Sequence, residues 1–208
     1  MSVQADHSRR LGSFIVAALV IGAALSACST STKTTLPADI HSEAERRAEA
    51  IRYVGKAQEA TKKGDNDEAL EFYRQAIQLT DSLDTAWNNL GVLLLEEKNY
   101  QAAIFAFGRA ADLNPSDPRP MTNIGIAYSR AGHSEKALRA FEDALLRDPN
   151  WLDALRGAGK ATMLLRIADD KALARTMHAL LIEPDDEWRA IFEREKFRIQ
   201  RMIDSRER

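Results

Sequence analysis

One spacing of apolar and small residues occurs twice in the middle of the chain. Trp87, Leu90, Gly91, Leu94, Ala103, Phe107, Ala110 and Pro115 form the first set. Met121, Ile124, Gly125, Tyr128, Ala137, Phe141, Ala144 and Pro149 form the second, each 34 positions after its counterpart. One period earlier the pattern continues through Tyr53, Ala57, Ala60, Ala69, Tyr73 and Ala76, although Lys56 is polar and Asp81 stands where the proline would be. One period later it gives Leu155, Ala158 and Gly159, then slips, so that Ala172, Thr176, Ala179 and Pro184 follow after one extra residue near 168–170. Beyond Pro184, Trp188, Phe192, Ile199 and Ile203 fall near one helical stripe behind an acidic first turn, which predicts a closing amphipathic helix. Alanine-rich runs and only 6 prolines in 208 residues predict an all-helical chain.

The spacing resembles the W-x2-L-G-x2-Y, A-x3-F, P pattern of tetratricopeptide repeats (TPRs) at that family's own period. Leu94 departs from the Tyr, and Met121 and Ile124 from the Trp and Leu, but all three remain apolar. The resemblance implies an all-α fold: a right-handed superhelical stack of antiparallel helix pairs, about nine helices in all, with a C-terminal capping helix. Gly91 and Gly125 would let the two helices of a repeat approach closely. Phe107 and Phe141 would fill the gap between repeats, and Pro115 and Pro149 would stop the second helix. A polar outer helix in the first repeat suits a capping position. The expected organisation is a signal peptide over 1–27, a modified cysteine and tether over 28–40, about four repeats over 41–184 with the first and last degenerate, and a capping helix and tail over 185–208.

The N-terminal end carries a different pattern. Arg9-Arg10 precede an uncharged run from Leu11 to Leu25, which at about 1.5 Å per residue spans roughly 22 Å as a helix, short of a bilayer core of ~30 Å. A basic start, a short apolar stretch and small residues after it read as a secretory signal. Leu25-Ser26-Ala27-Cys28 resembles the bacterial lipobox, which implies that Cys28 becomes a lipid-modified mature N-terminus and anchors the chain stably. The alternative is an uncleaved anchor or an ordinary signal with a chance cysteine. Arg9-Arg10 also brushes the twin-arginine signal, but Leu11-Gly12-Ser13 depart from it. Ser29, rather than Asp, follows the cysteine and points to the outer membrane of a periplasm-facing envelope. Ser29 to Asp39 is Ser/Thr-rich and reads as a tether.

Charge and chemistry narrow the function. A net charge of -2, from 29 Lys+Arg against 31 Asp+Glu, gives no field that would attract nucleic acid. The single cysteine excludes an intramolecular disulfide. His7, His41, His133 and His178 lack metal-ligand spacing, and no nucleophile elbow or P-loop occurs. Asp169-Asp170 and Asp185-Asp186 precede helical runs, where carboxylates cap rather than catalyse. No catalytic residue, cofactor or small-molecule substrate is expected.

By the same resemblance, the first helices of the repeats line a concave groove that takes a peptide or partner helix. The residues flanking the Leu-Gly pair would point into it: Asn88, Asn89 and Val92, then Thr122, Asn123, Ile126 and Arg130, then Arg156 and Lys160. An asparagine ladder suits an extended peptide backbone, and the three basic residues could hold a carboxylate. The alternative is that these are polar residues on an exposed helix face. Val54, Gly55 and Gln58 do not reproduce the Lys/Asn clamp with which some TPR proteins hold chaperone tails. The expected function is a membrane-anchored protein-binding scaffold, an assembly or stability factor for an envelope machine such as a pilus or secretion system. An adaptor that docks periplasmic cell-wall hydrolases or proteases is the alternative. An enzyme with an unrecognised site is a third reading, from another class.

Overall fold

Short, strongly patterned runs separated by turn residues become nine helices among the residues that the structure, a computed structural model, describes, namely 42–208. Cys28 and the expected signal peptide and tether lie outside the described residues. The helices are α1 (Glu43–Lys63), α2 (Asn66–Leu79), α3 (Asp84–Glu96), α4 (Tyr100–Leu113), α5 (Arg119–Arg130), α6 (Ser134–Arg147), α7 (Leu152–Leu165), α8 (Asp170–Ile182) and α9 (Asp186–Asp204). They pack as the pairs α1/α2, α3/α4, α5/α6 and α7/α8, each pair stacked on the next, with α9 laid against α8 and α7. This is the all-α superhelical stack that the spacing implies.

The turns inside the pairs share one device. Gly64, Lys98, Gly132 and Arg166 each take a left-handed conformation, with φ of 85°, 62°, 81° and 54°. In each, the next residue's amide reaches back to a carbonyl of the preceding helix: Asp65 to Ala60, Asn99 to Leu94, His133 to Tyr128 and Ile167 to Thr162, at 2.9–3.1 Å. These bonds satisfy carbonyls that the helix end leaves open and reverse the chain. The starts are set by side chains. Ser42 and Glu45 form a reciprocal capping box on α1, Asn99 caps α4, and Asp169 and Asp185 cap α8 and α9. The paired aspartates therefore serve helix ends, as their position in the sequence suggests. Helices α4 and α6 stop two residues before Pro115 and Pro149.

Packing explains the glycines. A Cβ built on Gly91 would lie 2.6 Å from the Phe107 ring, and one on Gly125 would lie 2.6 Å from the Phe141 ring. Phe141 is also pressed from the other side by Gly157 of the following repeat. Both rings are almost fully buried, and each burial stabilises the stack by roughly 2–3 kcal/mol.

The fourth pair departs from the others. Four residues separate α7 from α8, where three separate α3 from α4 and α5 from α6. The aromatic position of its second helix holds Thr176, whose hydroxyl donates to the Ala172 carbonyl at 2.8 Å. The aromatic ring comes from α9 instead: Phe192 lies over Gly159, 2.8 Å from where a Cβ would stand. The four apolar core clusters draw only on helices of this stack or the turns between them, and residues 39–208 form one compact unit. The repeat unit therefore contains everything its own packing needs. No described helix is long and apolar enough to cross a membrane.

Candidate functional site

The first helices α3, α5 and α7 place three positions in register: Asn88, Thr122 and Arg156; Asn89, Asn123 and Gly157; Val92, Ile126 and Lys160. The structure sorts these residues into three fates.

Thr122 is not available to a ligand. It is 3% exposed, and its hydroxyl donates to the Pro118 carbonyl one turn back at 2.9 Å. Its small size lets α5 pack closely, so its expected place in the groove is corrected to a core position.

The asparagines are half-buried and joined to each other. The Asn123 amide donates to the Asn88 carbonyl oxygen at 3.1 Å, and the Asn88 amide reaches Asn89 at 3.4 Å. Burial pushes the Tyr73 hydroxyl pKa up, against the opposing pull of the Asn89 and Thr61 side chains. The chain Asn89–Asn88–Asn123 thus ties α3 and α5 together. The expected ladder exists, but part of its hydrogen-bonding capacity is spent between repeats. Asn89 and Val92 line a hollow of about 270 Å³ with Gln58, Thr61 and Lys62.

Ile126, Arg130, Arg156 and Lys160 come together around a depression of about 430 Å³, with Ser129, Asp153, Gly157 and Trp188. Gly157 stands where the earlier repeats have an asparagine, and the missing side chain leaves the Phe141 ring as part of the floor. The three basic residues are not equivalent, which corrects their expected shared role. Arg156 is committed: its Nε and Nη2 donate to the two oxygens of Glu183 at 3.0 and 2.6 Å. The Glu183 side chain is fully buried, and the Arg156 guanidinium holds its carboxyl below the usual range, against the pull of burial. Arg130 and Lys160 are exposed and form no ion pair or hydrogen bond among the described residues. The Lys160 ammonium sits 4.8 Å from the Trp188 ring centre, and Arg156 flanks the same ring at 5.3 Å.

The sequence pattern assigned Trp188 to the buried stripe of α9, with no role in the groove. It is partly exposed and roofs the cationic end of the depression, because α9 folds back against α7. Only the tertiary position of α9 reveals this. Elsewhere, His178 bonds Asn150 at 2.9 Å and His133 lies exposed in the α5–α6 turn. Among the described residues no three His, Cys, Asp or Glu side chains converge.

Comparison with known proteins follows the same lines. Two profiles described as Tetratricopeptide repeat match residues 54–118 and 94–159. Anaphase-promoting complex subunit 3 of Schizosaccharomyces pombe is 33% identical over 115 residues, which is 55% of this chain and 17% of the relative. Photosystem I assembly protein Ycf3 of Prochlorococcus marinus is 28% identical over 90 residues, 42% of this chain and 52% of that protein. The match thus spans about a sixth of the length of the first relative and half that of the second. A crystal structure of MamA superposes with a TM-score of 0.60 at 22% identity, covering 68% of this chain and 86% of that one. The first TPR domain of Spaghetti (RPAP3), bound to the HSP90 peptide SRMEEVD, gives 0.56 at 21% identity, covering 58% and 96%. At these identities the structural likeness shows the fold.

Proposed function

We propose, from the premise that this chain carries tetratricopeptide repeats, that it is a protein-binding scaffold held at a bacterial cell envelope by lipid on Cys28. The repeats take an acidic peptide or the acidic end of a partner helix. The observation that carries this reading is the depression between α5, α7 and α9. There Arg130 and Lys160 lack carboxylate partners beside the apolar walls of Ile126 and Trp188. Unneutralised cations next to a ring face suit a carboxylate-bearing segment with one apolar side chain. The RPAP3 domain, of similar fold, holds a peptide, SRMEEVD, with three acidic residues, and Ycf3 is named as an assembly protein. Both support a binding role.

The pathway follows from the anchor rather than from the repeats. A lipidated, periplasm-facing scaffold, at the outer membrane by the residue after Cys28, suits assembly of an envelope machine such as a pilus or secretion system. Docking of periplasmic hydrolases or proteases would use the same groove and differs only in the protein captured. No reaction is assigned to the site.

The test is in-cell cross-linking from Ile126, replaced by a photoreactive residue, in chains with and without Arg130→Ala/Lys160→Ala. Neither side chain carries an internal ion pair, so the variant stays folded. Capture of defined envelope proteins that disappears with the variant supports the reading, and their identity names the pathway. Unchanged capture by the variant removes the cationic depression as the binding site. Membrane fractionation of Cys28→Ser tests the anchor separately, with release into the soluble fraction expected.

A further inference from the structure

α9 bears a second cationic surface that the groove does not use. Arg194, Arg198 and Arg201 stand at i, i+4 and i+7, off the buried stripe of Phe192, Glu195 and Ile199. Arg166 joins them from the α7–α8 turn. With Phe197, Met202 and Ser205 these arginines surround an open hollow of about 560 Å³. Arg198 is neutralised by Glu195 at 2.8 Å. The side chains of Arg166, Arg194 and Arg201 form no ion pair or hydrogen bond among the described residues. In their midst Phe197 is 64% exposed.

Folding does not account for this set. Like charges one or two turns apart on a helix repel, and an exposed phenylalanine forgoes its burial energy. Arg166 also occupies the left-handed turn position that glycine fills at residues 64 and 132, a conformation that disfavours any side chain. Three unpaired arginines and an exposed ring are thus held together against local preference, which is the pattern of a surface that meets something outside the chain.

We propose that this face binds the surface of an anionic phospholipid bilayer, with the guanidinium groups on headgroup phosphates and Phe197 in the interfacial layer. An acidic protein would match the charges equally well. The exposed Phe197 ring, which lines the same hollow as the arginines and carries the Lys196 ammonium 5.3 Å from its centre, is what favours the bilayer, where aromatic side chains sit at headgroup level. The proposal rests on the membrane tether above for its local concentration. Thirteen residues lie between Cys28 and Ser42, so a lipidated chain holds its first helix within about 50 Å of the anchor.

The experiment uses residues 39–208, which pack as one unit and carry no lipid, in co-sedimentation with vesicles. Phosphatidylglycerol mixed with phosphatidylcholine is compared with phosphatidylcholine alone. Binding is expected only to the anionic vesicles, weakening as salt rises. At ~1 kcal/mol per surface arginine, Arg194→Ala/Arg201→Ala should weaken partitioning roughly 30-fold. Phe197→Ser should weaken it with the salt dependence kept. Neither variant should lower helical content. Equal binding to both vesicle types, or no effect of the arginine variant, overturns the proposal. Arginine-dependent binding of polyglutamate with none to anionic vesicles also overturns it and makes the patch a protein-docking site. Because this readout involves neither the lipid anchor nor a peptide captured in the groove, its failure leaves the scaffold proposal standing. Failure of groove cross-linking likewise leaves the vesicle result intact.

Discussion

Adding one methyl group at Gly157 should lower stability, although alanine is the better helix former. The Phe141 ring is held between Gly125 of its own repeat and Gly157 of the next, and a Cβ at either position would fall inside contact distance of the ring. The ring is 2% exposed and is touched by both helices. Overpacking of this kind costs about 2–3 kcal/mol, and the propensity gain of Gly→Ala returns about 1 kcal/mol. The net loss of about 1–2 kcal/mol should lower the melting temperature of residues 39–208 by roughly 5 °C. Gly108 supplies the control. It lies within α4 with nothing within 4 Å of a built Cβ, so Gly108→Ala should raise the melting temperature by about 2–3 °C. A double-mutant cycle then assigns the cause. Phe141→Leu should cost at least ~1 kcal/mol less in the Gly157→Ala background than in the wild type. Thermal unfolding followed by circular dichroism measures all four. If Gly157→Ala stabilises as Gly108→Ala does, the ring is not pinched and the packing argument fails.

Arg156→Ala should destabilise by about 3–5 kcal/mol, because it leaves the buried Glu183 carboxylate unpaired, and Arg156→Met/Glu183→Leu should recover most of that loss in a denaturant titration. The same pair sets a pH dependence. Since Arg156 depresses the Glu183 pKa, its stabilisation is present at neutral pH and is lost as pH falls through the folded value, below the usual carboxylate range, so acid should narrow the gap between wild type and Arg156→Met/Glu183→Leu. Ser42→Ala should remove the α1 capping box and cost ~1 kcal/mol, seen as faster amide exchange in the first turn of α1. Arg166→Gly should relieve the left-handed turn and stabilise by about 1 kcal/mol while weakening anionic-vesicle binding, an opposition that a purely structural residue would not show.

The repeats are legible in the sequence because each rests on contacts of fixed spacing. Gly91 with Phe107 and Gly125 with Phe141 are pairs inside one repeat, so a single period exposes them. The left-handed turn residues 64, 98, 132 and 166 keep the same 34-residue period. Two of the four are basic rather than glycine, and composition therefore hides the device. The groove is only half legible. Register correctly places Asn88, Asn89 and Asn123 on neighbouring helices, but it carries no information on how half-buried amides pair with one another. Nor does it show that Thr122 turns its hydroxyl back onto the helix, or that Arg156 already has a carboxylate in Glu183, 27 positions away.

What the period cannot foretell is concentrated where the period ends. The fourth repeat lacks its aromatic residue, and with Thr176 in that place the space beside Gly159 would stay open. α9 closes it with Phe192, and to do so it must lie across α7 at an angle set by this contact and by Arg198, which donates to the Ile167 carbonyl at 2.6 Å. That placement has two further consequences along the same helix. One turn before Phe192, it carries Trp188 over Lys160 and Arg156 and makes a walled depression from what would otherwise be an open groove end. Beyond Phe192, it sets Arg194 and Arg201 beside Arg166. A residue whose evident task is packing therefore determines both cationic surfaces. Phe192→Ala, which removes no group from either surface, should weaken groove cross-linking and vesicle binding together, in addition to costing about 3–5 kcal/mol. If either binding persists unchanged in this variant while the chain remains folded, α9 does not organise that surface.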